Sequence, residues 1–196
     1  VLPIQGPPGT GKTRLAVRAI LSLLRGGHRV GVSSGSHAAI RTLLAGCMRE
    51  IAREKLPVAV AAHGVSADDA GPPADGRPDD SRGHTATARP GRPRDRAELM
   101  GGTACIYARE EHAQAVDWLF VDDAAQVSLG DLLAMGRAAR NIVLLGDPCQ
   151  LPCTIAAAHP HPAHLSCMDW LLGDRATFAP DRGIVLPESH RMHPAL

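Results

Sequence analysis

Short apolar runs alternate with stretches of helical period along most of the chain. Val1 to Ile4 (VLPI) reads as the end of a buried strand. From about Lys12, Leu15, Ala19 and Leu23 share one face, with Ala16, Ile20 and Leu24 beside it. This is the period of a helix, which Gly26-Gly27 ends. Arg29 to Ser33 (RVGVS) reads as a second strand. A second helix runs from about Ala38 to Glu54, with Ile40, Leu43, Leu44, Cys47 and Ile51 at helical spacing. Pro57 closes it, and Val58 to Ala61 reads as a short strand. Order returns at Thr103 to Tyr107. Trp118 to Val121 (WLFV) and Asn141 to Leu145 (NIVLL) are unbroken apolar runs, as expected of strands covered on both faces. Leu129 to Ala138 and Met168 to Leu172 suit helices, and Ile184 to Leu186 a last strand. Strands alternating with helices predict an α/β domain with a mostly parallel sheet flanked by helices.

Ser66 to Glu98 breaks the pattern. It holds no Val, Ile, Leu, Met, Cys or aromatic residue and is rich in Pro, Gly, Asp and Arg. Such a stretch cannot bury enough apolar surface to offset its ordering entropy, so it is predicted to be a disordered insertion. It is acidic from Asp68 to Asp80 and basic from Arg82 to Arg96. The bland reading is a solvated polyampholyte, and an arm that touches nucleic acid is the alternative.

Composition narrows the class. The 196 residues suit one domain with a sizeable core. Aromatics make up only 3%, so Leu, Val, Ile and Ala must build that core. A net charge of +1 gives no overall field toward nucleic acid or membrane, though it does not exclude a local patch. Five irregularly spaced cysteines are no secreted disulfide framework and point to a reducing compartment. No apolar run approaches the ~20 residues of a membrane span. A soluble, cytoplasmic protein is the expectation. Of the 21 basic residues only Lys12 and Lys55 are lysines. An Arg-biased chain that keeps Lys at position 12 hints at a need for the compact ammonium there.

Lys12 lies in Gly6-Pro7-Pro8-Gly9-Thr10-Gly11-Lys12-Thr13, which fits the phosphate-loop pattern G-x-x-x-x-G-K-[ST] at every fixed position. The glycines let the backbone turn its N–H groups toward phosphate oxygens, and the prolines stiffen the loop. The following helix aims its positive end at the same anion. Lys12 is expected to reach the β- and γ-phosphates of ATP, and Thr13 to ligate Mg²⁺. Asp122 follows WLFV directly and is expected to hold Mg²⁺ from the edge of a neighbouring strand. Asp123 is placed to orient or deprotonate the attacking water. Two solvated aspartates opening a helix are the bland alternative. A third strand ends in Gly146-Asp147-Pro148-Cys149-Gln150, where Gln150 is placed to sense the γ-phosphate. Near the end of the sequence, Arg191 of SHRMHP is placed to neutralise charge on it. Cys149, Cys153, His159, His161, His164 and Cys167 cluster nearby, but their spacing matches no usual zinc site.

The order GPPGTGKT, VDDAAQ, GDPCQLP, SHRMHP resembles the N-terminal motor domain of superfamily 1 DNA/RNA helicases. Within it, the branch of RNA-surveillance and DNA-repair helicases is most similar. Its motifs look like GPPGTGKT, DEAxQ, GDPxQLP and YRMHP. LPIQGPPGTGKT, VGVSSGSHAAIRTLL and the stretch from LFVDDAAQ to LLGDP look like the helicase region that follows a RecB-like nuclease domain. The resemblance covers nearly the whole chain except Ser66 to Glu98. It implies a RecA-like P-loop NTPase that couples ATP hydrolysis to movement on single-stranded DNA or RNA. It implies phosphate and Mg²⁺ binding by Gly9, Gly11, Lys12 and Thr13, and a nucleotide-proximal role for Gln5. Val32 to Ile40 resembles the family's next motif, which touches the nucleic-acid backbone, and Gly102-Thr103-Ala104 resembles a further strand-end motif on the same side.

This chain departs from the family pattern in three places. Asp123 stands where the family has Glu, and a carboxylate about 1 Å short can cost on the order of 100-fold in rate unless the backbone compensates. Ser189-His190 stands where an aromatic is usual. The second RecA-like domain of such helicases is missing, so this stretch alone is expected to bind ATP but not to unwind duplexes. The competing readings are a non-hydrolysing ATP-binding module and a small-molecule P-loop kinase.

Overall fold

In the computed structural model, residues 1–63, 97–150, 162–163 and 165–190 are described. Seven strands pair in parallel: β1 (Leu2–Gln5), β2 (Val30–Ser34), β3 (Val60–His63), β4 (Leu99–Gly102), β5 (Val116–Asp122), β6 (Ala139–Gly146) and β7 (Ile184–Val185). Their order across the sheet is β3-β4-β2-β5-β6-β1-β7. Among the described residues, five α-helices accompany them: α1 (Lys12–Arg25), α2 (His37–Glu54), α3 (Ala104–Tyr107), α4 (Leu129–Gly136) and α5 (Cys167–Leu172). No helix among the described residues is long and apolar enough to cross a membrane.

The two-residue alternation of the central strands sorts the core into two layers. Phe120, Val143 and Leu145 face α1 and α2, where Ala16, Ile20 and Leu24 meet Ile40, Leu43, Cys47 and Ile51. Leu119, Val121 and Leu144 face the opposite way, onto Tyr107, Leu132, Met135, Cys167 and Met168 from α3, α4 and α5. Covering both faces is what makes the WLFV and NIVLL runs continuously apolar. Three helix starts, those of α2, α4 and α5, are capped: Ser36 Oγ accepts from Ala39 N at 3.1 Å, Ser128 Oγ from Asp131 N at 3.0 Å and Ser166 Oγ from Asp169 N at 3.0 Å.

Three features differ from the sequence reading. Leu-Met-Gly-Gly forms β4, between β2 and β3, although glycines disfavour strands. Packing requires them: a Cβ at Gly101 would press on Leu44 and Ile40, and one at Gly102 would lie 3.1 Å from Ile106. Glu98, which composition assigns to the polar insertion, is tied into the sheet. Its carboxylate accepts from Ala59 N at 2.8 Å and its N–H donates to the Ala59 carbonyl at 3.0 Å. Finally, Asp122 does not sit on a strand beside β1. β6 lies between β5 and β1, so the carboxylate reaches toward the phosphate loop across one intervening strand.

Candidate nucleotide site

The loop after β1 is built by its own residues. Gly6 N donates to the Gly146 carbonyl at 3.0 Å, which extends the β1–β6 pairing by one step. Pro7 O then accepts from both Thr10 N (3.4 Å) and Thr10 Oγ1 (2.9 Å), closing a tight turn over a buried threonine. Gly6 has no room for a side chain, since a Cβ there would lie 2.5 Å from Thr10 Oγ1. Gly9 and Gly11 take left-handed backbone angles, φ 85° and 83°, which L-residues rarely adopt. Gly11 is also the N-cap of α1, so no side chain caps the helix's first N–H groups, and these remain available to an anion. Lys12 Nζ donates back to the carbonyls of Gly6 and, at 3.2 Å, of Pro7.

The acidic half comes from the end of β5 and the turn that follows it. Asp122 ends β5 at 7% exposure, and its Oδ1 accepts from Asp123 N at 3.1 Å. Burial first, and the charge of Asp123 second, push the Asp122 carboxyl up to about 6, against the pull of the Asp123 N–H and of Lys12. Asp123 sits at φ 50°, a left-handed turn that redirects the chain into a single 3-10 turn, Ala124–Gln126. That turn is clamped from below. Cys167 Sγ donates to the Ala124 carbonyl at 3.1 Å, and Cys167 N to the Val127 carbonyl at 2.9 Å. Gly146 lies directly beneath, where a Cβ would come within 2.5 Å of Met168 Sδ and 2.9 Å of Ala125 N. The end of β6 therefore sets the height of the acidic turn.

The turn after β6 delivers Gln150. Asp147 is buried, and its two carboxylate oxygens accept from Cys149 N at 3.1 Å and Gln150 Nε2 at 3.2 Å. Gln150 N also donates to the Asp147 carbonyl at 3.0 Å. The chain leaving β7 then crosses the loop: Ser189 Oγ donates to Pro8 O at 2.9 Å and His190 N to Gly9 O at 2.9 Å. Together these segments line a cleft of about 630 Å³, formed by Pro8, Gly9, Gly11, Lys12, Thr13, Arg14, Asp122, Asp123, Gln150 and His190.

Most residues singled out in the sequence meet in this cleft. Gly6, Pro7 and Thr10 shape the loop behind it. Gln5 is engaged elsewhere: its Nε2 donates to the Ala176 carbonyl at 3.1 Å and its Oε1 accepts from Phe178 N at 3.2 Å, so the side chain pins the 176–178 segment against β1. Arg191, Cys153, His159, His161 and His164 lie outside the described residues. Of the Cys–His cluster, Cys149 is exposed in the Gln150 turn and Cys167 is buried under the acidic turn. Sequence reasoning missed Arg14 as a lining residue and Asp147 as the group that holds Gln150. The Asp-Pro turn signal marked the bend but not its partners.

A parallel sheet with helices on both faces and a phosphate loop between β1 and α1 defines the P-loop NTPase fold. Residues 95–158 match a protein family described as AAA domain. Among solved structures, an arterivirus helicase, nonstructural protein 10 in complex with DNA, superposes with a TM-score of 0.50 at 18% identity. It covers 81% of this chain and 31% of its own, so the chain spans under a third of that helicase. The ATPase domain of the large terminase of a Thermus phage gives a TM-score of 0.47 at 13% identity, covering 94% of this chain and 74% of that one. The first likeness supports the fold, and the second is too low to argue from. A search of curated proteins finds no match. The likeness to RecB-like nuclease–helicase fusions has no counterpart in these matches.

Proposed function

We propose that the chain is the ATP-binding and hydrolysing motor domain of a superfamily 1 type helicase, acting on single-stranded DNA or RNA. One observation carries this reading. A glycine loop at an uncapped helix start, a buried aspartate on a central strand, a second aspartate beside it and a glutamine held by a third turn line one cleft, from three separate chain segments.

The donor set fits a magnesium nucleotide. The hydroxyl of Thr13 and the hard carboxylate oxygens of Asp122 are suited to Mg²⁺, and the backbone N–H groups between Gly9 and Thr13 to the phosphates. Bound Mg²⁺ supplies neutralising charge between the terminal phosphates. Lys12 exchanges its loop carbonyls for phosphate oxygens. Asp123, re-aimed by its left-handed backbone, orients the attacking water and accepts its proton. Gln150, fixed by Asp147, reports the γ-phosphate. Arg191 is assigned the transition-state charge, and a second RecA-like domain the closure of the cleft.

The test is nucleotide binding and turnover by the parent and Lys12→Ala. A fluorescent ATP analogue is expected to bind the variant at least about tenfold more weakly, the loss of one or more charge-assisted hydrogen bonds. Undiminished affinity sinks the assignment. A second reading, an ATP-binding module without turnover, draws on the short side chain of Asp123. Hydrolysis stimulated by single-stranded nucleic acid excludes it, and Asp123→Glu is expected to raise the rate.

A further inference from the structure

The small net charge conceals a strong asymmetry. Residues 1–63 hold nine Lys or Arg against two Glu, whereas residues 97–150 hold three Arg against eight Asp or Glu. The basic excess gathers on α1 and α2. Between these helices lies a second cavity, about 570 Å³, lined by Arg14, Arg18, Arg25 and Arg53 with Glu50 and Glu54. The two glutamates are committed: Glu54 pairs with Arg25 at 2.5 Å and with Arg53 at 3.4 Å, and Glu50 pairs with Arg53 at 2.6 Å. Arg14 and Arg18 are exposed, and among the described residues neither joins an ion pair.

We infer that this groove is a docking surface for the phosphodiester backbone of a polynucleotide, separate from any path across the carboxyl ends of the strands. Arg14 and Arg18 stand one helical turn apart, and Arg25 lies two turns further along the same helix face. Over that span α1 rises about 16 Å, long enough to meet more than one phosphate of a strand. Guanidinium forks suit phosphate oxygens bidentately. The apolar residues that line the groove, Val17 and Leu21, are buried in the core, so the surface offers a protein partner no apolar anchor. Arg14 also lines the nucleotide cleft, so a strand held here begins beside the phosphate loop. The surface goes beyond the motor reading and does not depend on it.

The experiment is fluorescence anisotropy of a labelled 20-nucleotide single strand and of the matching duplex, titrated with the whole chain from 50 to 200 mM NaCl. Arg18→Glu is compared with the parent and with Arg18→Lys, and circular dichroism reports that each is folded. Arg18 lies outside the nucleotide cleft, so affinity for a fluorescent ATP analogue is measured in parallel and should not change. Arg18→Glu is expected to weaken polynucleotide binding about tenfold at 50 mM NaCl and to reduce the salt slope by about one, while Arg18→Lys retains most of the affinity. A larger loss for one probe identifies single strand or duplex as the ligand. Parent-like affinity and slope in Arg18→Glu overturn the proposal, as does absence of binding by the parent. Displacement of the DNA by an equal concentration of polyglutamate also overturns it, in favour of an acidic protein partner. Failure of ATP binding in the parent removes the motor reading and leaves the groove standing.

Discussion

The two faces of the sheet are built differently and contribute different chemistry. The α1–α2 face uses two long helices of 14 and 18 residues over aliphatic side chains, and its surface is basic. The opposite face uses three short helices of 4, 8 and 6 residues over a layer that holds Met100, Met135, Met168 and a buried Tyr107. The first face begins at the phosphate loop, and the second begins at the acidic turn. The phosphate loop and the Ala124–Gln126 turn therefore rest on opposite layers, and Lys12 and Asp122 meet at the carboxyl edge of the strands. The long helices bury a continuous apolar stripe along their length. The short ones depend on point contacts such as Cys167 to Ala124, and for that reason the acidic face is where substitutions should reach the site.

The largest expected effect tests the strain on that acidic face. The Asp122 carboxyl titrates at about 6 in the folded protein against 3.8 ordinarily. The folded state therefore holds its proton longer than the unfolded state, and stability falls as pH rises between about 4 and 6. The cost levels off above that window, at up to about 3 kcal/mol. Asp122→Asn in the presence of EDTA should match the parent near pH 4 and be more stable above pH 6, while binding magnesium nucleotide more weakly. Denaturant unfolding across pH measures it; a gap independent of pH would contradict the burial argument.

Next in size is a pair of glycine substitutions, one for each face. Gly146→Ala drives a methyl into Met168 and the acidic turn, and Gly101→Ala drives one into Leu44 and Ile40. Each should lose about 1–3 kcal/mol. Only Gly146→Ala should also impair nucleotide turnover, because only it displaces Asp122 and Asp123. Equal turnover in the two variants would erase the distinction drawn between the faces.

Tyr107→Phe comes third. The Tyr107 hydroxyl accepts from Val32 N at 3.0 Å and donates to Met100 O at 2.5 Å, so it stitches β2 to β4 from the acidic side. Its loss strands a buried N–H, a cost of about 1–2 kcal/mol in thermal or denaturant unfolding, with nucleotide affinity unchanged. The smallest effect belongs to the basic face. Glu54→Gln breaks the part-exposed pair with Arg25 and should cost under about 1 kcal/mol. By releasing Arg25 it should tighten polynucleotide binding and steepen its salt dependence.

What was legible in the sequence is what local chemistry decides. Gly6 to Thr13 spelled out the phosphate loop, because glycines at these positions, followed by Lys and Thr, let a backbone wrap an anion ahead of a helix. WLFV followed by Asp122, and NIVLL followed by Gly146 and Asp147, marked strands buried on both faces and ending in polar turns. The meeting of Lys12, Asp122 and Gln150 followed from parallel strands that present the same end of the sheet. Other features depended on residues far apart along the chain. The residue pattern did not show β4, whose end only the resemblance at Gly102 marked, because its glycines answer to Leu44, Ile40 and Ile106, not to strand propensity. The placing of β6 between β1 and β5 is a choice of pairing that neither strand's composition records. The hydrogen bonds of Gln5 to residues 176 and 178 join positions too far apart along the chain for local sequence to record. Sequence patterns report what a residue needs from its neighbours in the chain, whereas strand order and hydrogen-bond partners are settled by which distant surfaces bury each other.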